Sequence, residues 1–211
     1  MNRIDKKFIE LNANGKKAFV AFITAGDPDL RVTEELVLSL TRCGVDIVEL
    51  GVPFSDPMAD GPTIQRASER ALKNKVSLEG ILRLVKRLRT NTQIPLALMS
   101  YYNPIFKYGI NRFVKDAVKD GVDGVIVPDL PPEEAKDLLN ISRKLDFATI
   151  FLLSPTSTEE RIKLIAKEST GFIYYVSLTG VTGAREELPE EELLSRIREI
   201  KKYTSKPICV G

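Results

Sequence analysis

Short apolar runs alternate with helix-period segments seven times along this chain of 211 residues. The runs occupy residues 18–24 (AFVAFIT), 46–50, 94–100 (IPLALMS), 124–128 (GVIVP), 147–153, 171–176 (GFIYYV) and 207–210. Nearly unbroken apolar runs fit strands buried on both faces. Helical spacing follows at 30–42, 63–73, 78–89, 110–119, from Pro132, from a cap at Thr156 or Ser157 to about 167, and from Pro189 to about 203. A short amphipathic helix, 5–14, precedes the first run. Such alternation predicts an α/β fold, a parallel sheet with crossover helices. A doubly wound sheet and a (β/α)8 TIM barrel are the two candidates. No G-x-G-x-x-G follows the first run, which weakens a dinucleotide-binding reading. Polar residues gather instead at many strand ends: Thr24, Glu49, Ser100, Asp129, Ser154 and Ser177. A barrel spreads its site over its strands in that way. A complete barrel takes roughly 250 residues. The expectation is therefore one barrel domain over 1–211, with seven of eight strands and without the eighth βα unit.

Composition narrows the chemistry. The chain has no histidine, which removes the commonest general base, the commonest zinc ligand and any Ser-His pair. Carboxylates, lysine, tyrosine or cysteine must then do any work near neutral pH. Cys43 and Cys209 form neither a disulfide framework nor a metal-spaced cluster, and a reducing compartment fits. A formal charge of +2, with no basic run interleaved with aromatics, does not suggest nucleic acid. No signal core or run of 18 apolar residues is present, so the expectation is a soluble cytoplasmic protein with no membrane contact.

One stretch, VDIVELGVPFSDPMADGPTI at 45–64, stands apart. Glu49 closes an apolar run, where an unpaired buried charge is costly. The following loop is set by Pro53, Pro57, Gly61 and Pro62, and it carries Asp56 and Asp60. Two carboxylates near a strand C-terminus form a candidate acid–base pair. The plainer alternative is a solvated strand end at Glu49 and a turn or cap residue at Asp60.

ELGVPFSDPMADGPTIQ, with FITAGDP at 22–28, resembles the tryptophan synthase alpha subunit family. MSYYNPI at 99–105, VPDLPPEE at 127–134 and SLTGVTGAR at 177–185 match it in the same order, so the resemblance spans the chain. It implies a (β/α)8 barrel with an extra N-terminal helix. It also implies a lyase that cleaves indole-3-glycerol phosphate to indole and glyceraldehyde 3-phosphate. The partner implied is the beta subunit in an alpha2beta2 complex, with indole passing through an internal tunnel. No cofactor is implied for this chain, and pyridoxal phosphate is expected only in that partner. The sequence departs from the family by ending at Gly211, before the family's next segment.

The same resemblance assigns roles. Asp60 lies against the indole nitrogen, Glu49 shuttles the proton at C3 and the glycerol hydroxyl, and Tyr174 is the active-site tyrosine. Strand alternation allows only one of Tyr174 and Tyr175 to point into a barrel. Phe22, Leu98, Tyr102 and Val127 are expected to wall the indole, although each alone reads as ordinary core. Thr182 is expected to meet Asp60, Gly183 to offer its N–H to the phosphate, and Gly211 to contribute to substrate binding. Arg185 reads as a loop-closure or solvent residue. Asp56, Pro57, Met58 and Asn103 are expected to meet the beta subunit, and Asp129 is an interface or supporting residue.

Two competing readings are a different phosphate-binding barrel enzyme and an inactive barrel fragment or assembly module. A chain ending at Gly211 would lack most of a barrel's phosphate site and would leave apolar strand edges open. Weak substrate binding and self-association are the corresponding expectations.

Overall fold

The computed structural model describes residues 1–177 and 190–211. Helix α1 (Arg3–Ala13) leads into β1 (Val20–Thr24), α2 (Leu30–Arg42) and β2 (Ile47–Gly51). Helices α3 (Pro62–Lys73) and α4 (Leu78–Leu88) precede β3 (Leu96–Met99). Next come α5 (Tyr102–Tyr108), α6 (Ile110–Asp120), β4 (Gly124–Ile126) and α7 (Lys136–Lys144). Strands β5 (Ala148–Ile150) and β6 (Leu152–Leu153) lead to α8 (Glu159–Glu168), β7 (Ile173–Tyr175), α9 (Glu190–Lys201) and β8 (Ile208–Val210).

All strand pairs are parallel, in the sequential orders β1-β2-β3-β4-β5 and β6-β7-β8. Sequential order without reversal belongs to a (β/α)8 barrel and not to a doubly wound sheet. The fifth apolar run supplies both β5 and β6. The chain stays in register across the break at Phe151, whose carbonyl accepts the Tyr174 N–H at 3.1 Å.

Helix starts follow their capping chemistry. Asp29, Ser77 and Thr158 each accept a backbone N–H in the first turn of α2, α4 and α8. Thr158 caps α8, where the sequence pointed to Thr156 or Ser157. Those residues instead join Ser154 in a local hydroxyl cluster. Pro132 sits in a turn before α7 rather than starting it. Helix α5 was not expected, because Pro104 and a Tyr-Tyr-Asn opening read as a loop.

Strand alternation divides the core in two. The interior layer comprises Ile47, Ala97, Ile126, Ala148, Ile150 and Phe172, with Val20, Met99, Leu152, Tyr174 and Cys209 packed against it. Ile4 and Phe8 of α1 plug its base, and the Phe8 and Phe172 rings lie 5.8 Å apart. The outer layer packs the opposite strand faces against the helices and contains Leu50, Leu98, Val125, Val127 and Tyr175.

A buried ion network ties α1 to this base. Asp123, just ahead of β4, has a side chain only 2% exposed. Its two oxygens accept from Arg3 and Arg89, each at 2.9 Å, and also from the Leu96 N–H at 2.9 Å. Arg89 further donates to the carbonyls of Gly121 and Ile94 at the end of α6 and the start of the β3 run.

Candidate active site

Glu49 is the third residue of β2 and is 3% exposed. Its register partners are Phe22 and Ala97, which places it on the interior face. Its Oε1 has no hydrogen-bond partner among the described residues. Burial therefore penalises the anion, and the pKa is pushed up to about 7. A carboxyl raised toward neutrality suits a group which both gives and takes a proton.

Tyr174 and Cys209 face the same interior. Each is pushed up to about 12, chiefly by burial and then by the Glu49 charge. Tyr175 packs in the outer layer, so alternation has selected Tyr174 as the inward tyrosine. Gly211 lies against the Tyr174 hydroxyl, and a Cβ built at 211 would fall 2.1 Å from that oxygen. The Gly211 carbonyl accepts from the Ser177 N–H at 2.8 Å and the hydroxyl at 3.1 Å. Gly51 has a related role: a Cβ there would lie 2.5 Å from the Phe22 ring. The glycine lets Phe22 lie across the top of β2.

Asp60 precedes Gly61, the N-cap of α3, with Pro62 at the first helical position. It borders a cavity at the strand C-termini, together with Phe22, Thr24, Gly51, Met99 and Tyr101. Glu49 lies two residues below Gly51 on the same strand face, about 6–7 Å deeper by strand rise. Asp60 lines that cavity, and Glu49 sits deeper on the same strand face as Gly51. Burial raises the Asp60 pKa, and a hydrogen bond from the Tyr101 hydroxyl lowers it. That same hydroxyl accepts the Ala59 N–H at 2.9 Å, which pins the loop beneath Asp60.

Tyr101 is the residue that the sequence reading missed. The expected wall residues Leu98, Tyr102 and Val127 need correction. Leu98 pairs with Leu50 and Val125, and both Leu98 and Val127 belong to the helix-facing layer. The inward neighbours are Met99 and Ile126. Tyr102 opens α5, where its ring sits 5.7 Å from Phe106 and its N–H donates to Asp129. A strand has a side-chain period of two, so a slip of one residue moves every wall residue to the other face. Phe22 lines the cavity that Asp60 borders. Replacing Tyr101 by Phe is expected to raise the Asp60 pKa, because the ionised carboxylate loses its donor. Carbon-13 NMR titration of labelled aspartate checks this, with Asp60→Asn marking the resonance.

The remaining expectations divide. Asp56 and Asn103 are exposed, Pro57 is half-buried, and Met58 is 85% exposed on the loop after β2. Thr182, Gly183 and Arg185 lie outside the described residues. Among the described residues, no group of three or more His, Cys, Asp or Glu side chains is placed to hold a metal ion. No helix among them is long and apolar enough to cross a membrane.

The family model for the tryptophan synthase alpha chain matches residues 8–211. The tryptophan synthase alpha chain of Geotalea daltonii is 57% identical over all 211 residues, which cover 80% of that protein. The crystal structure of tryptophan synthase subunit alpha from Legionella pneumophila superposes with a TM-score of 0.90 at 40% identity, covering 100% of this chain and 78% of that one. A chain of the tryptophan synthase a2b2 complex from Pyrococcus furiosus gives a TM-score of 0.85 at 42% identity, covering 92% and 77%. The chain belongs to the tryptophan synthase alpha chain family.

Proposed function

We propose that this chain cleaves indole-3-glycerol phosphate to indole and D-glyceraldehyde 3-phosphate, with Glu49 and Asp60 as its working carboxyls. The observation that carries this reading is a glutamate buried on the interior face of β2, its Oε1 without a hydrogen-bond partner among the described residues, two residues along the strand from Gly51, which lines the cavity bordered by Asp60. Neutral Glu49 delivers its proton to indole C3, and the ring becomes an electron-poor indolenine. The Asp60 carboxylate stabilises the positive charge that develops at the ring N–H. Glu49, now ionised, takes the proton of the adjacent glycerol hydroxyl. The C–C bond then breaks, its electron pair returns to the ring, and the aldehyde forms. Glu49 ends as it began, so the proton balance closes without a cofactor in this chain.

The indole ring is assigned to the barrel interior beside Glu49, where Met99, Ile126 and Tyr174 supply apolar and aromatic surface and Phe22 stands next to Glu49 in register. Thr182, Gly183 and Gly211 are assigned to substrate binding, Thr182 as a partner of Asp60 and Gly183 as a donor to the phosphate. The exposed residues Asp56, Met58 and Asn103, with the half-buried Pro57, are assigned to contact with a beta subunit, the pyridoxal-phosphate-bearing partner. Residues 1–211 are read as one barrel domain.

The chain contains no tryptophan, so added indole fluoresces against a tyrosine background alone. Titration of the protein with indole should give a saturable emission change, and Phe22→Ala should weaken it. A linear response with no saturation would contradict an indole slot.

A further inference from the structure

Buried polar atoms without partners are uncommon in folded chains. Among the described residues, five buried side-chain oxygens are in that state. Those of Ser142, Thr149 and Ser169 lie away from the slot, and Glu49 Oε1 belongs to the chemistry above. The fifth is Thr24 Oγ1. Thr24 ends β1, shares the strand face of Phe22 and is 8% exposed. Its register partner is Gly51, which has no side chain to cover the hydroxyl.

Thr24 lines the same cavity as Asp60, Tyr101, Ser68 and Ser100, a space of about 20 Å³. A cavity of that size admits about one water molecule when its walls are polar, and it is far too small for a ring. Valine would fill the same shape without burying an unpaired hydroxyl. Threonine is therefore accounted for by what its hydroxyl holds. The Tyr101 hydroxyl already occupies one side of the Asp60 carboxyl and is the titratable group facing it. Among the described residues, Thr24 places a further hydroxyl on the same cavity. We propose that Thr24 is a positioning residue: its hydroxyl holds one water against Asp60 and so fixes the face that the carboxylate turns to the indole nitrogen.

The proposal rests on the reading of Asp60 given above, and its test separates the two. The full chain, labelled with carbon-13 aspartate, is compared with Thr24→Val and Thr24→Ser. Asp60→Asn identifies the signal, and Tyr101→Phe serves as a reference for a lost donor. In Thr24→Val the Asp60 midpoint should move upward, because the ionised form loses a hydrogen bond. Indole formation should fall about tenfold in kcat, while the melting temperature stays level or rises. Thr24→Ser keeps the hydroxyl and should match the wild type in the Asp60 titration. An unmoved Asp60 midpoint in Thr24→Val overturns the proposal. So does a Thr24→Val protein melting several degrees below Thr24→Ser, which would make the hydroxyl a structural group. If the wild type forms no indole, the lyase reading fails, and the Asp60 titration still decides the role of Thr24.

Discussion

Glu49→Gln should lower kcat for indole-3-glycerol phosphate cleavage by about two to four orders of magnitude, with KM little changed. Glutamine fills the same volume but cannot give a proton to C3 or take one from the hydroxyl. No histidine is present to substitute. The loss belongs to the transition state, where the charge develops, so it appears in kcat. The same change should stabilise the fold at alkaline pH. In the folded chain Glu49 keeps its proton up to about pH 7, whereas the group titrates at 4.5 when unperturbed. Between those values the folded state binds the extra proton, so stability falls as pH rises. A shift of that size corresponds to roughly 3 kcal/mol by pH 8. Glutamine has no such dependence. Denaturant unfolding should show the variant more stable at pH 8 and equal to the wild type below pH 4.5. A near-normal kcat, or a stability gap that does not vary with pH, would refute the role given to Glu49.

The second large effect lies at the opposite end of the barrel. Asp123→Ala should destabilise the chain by about 3–5 kcal/mol, because it leaves Arg3 and Arg89 facing a buried gap. Arg89 has a side chain 10% exposed, and burial lowers its pKa to about 10 even with the Asp123 charge beside it. Without that charge the guanidinium has no counter-ion at the base. The Leu96 N–H also loses its acceptor, and α1 loses its ionic tie to the strands. For a chain of this length the loss amounts to roughly 6–20 °C in melting temperature. Thermal unfolding followed by circular dichroism measures it. A melting point within a degree or two of wild type would show the network to be dispensable.

The site and this network differ in how far the sequence revealed them. Glu49 was legible because a lone acid in an apolar run has little structural use. Phe22 and Tyr174 came from the family resemblance, parity requiring only that one of Tyr174 and Tyr175 face inward, and the inward one is Tyr174. Tyr101 was not, since two adjacent tyrosines follow β3 just where the strand frame gives way to a turn. Leu98 and Val127 failed for the same reason: they are one step out of phase with Met99 and Ile126. Asp123 gave no signal. Its partners lie 120 and 34 residues away, and folding alone brings the three together. Helix α5 was hidden by Pro104, which is tolerated because it falls in the first turn.

The central claim is that two carboxyls in this barrel break the bond between indole C3 and the glycerol chain. The most direct test is a product assay on the wild-type chain supplied with indole-3-glycerol phosphate alone. Indole is measured by its fluorescence and glyceraldehyde 3-phosphate by coupled oxidation. The account predicts the two products in equal amounts, with both lost in Glu49→Gln. Conversion of the substrate to a phosphate isomer with no free indole, or indole release unaffected by Glu49→Gln, would contradict it.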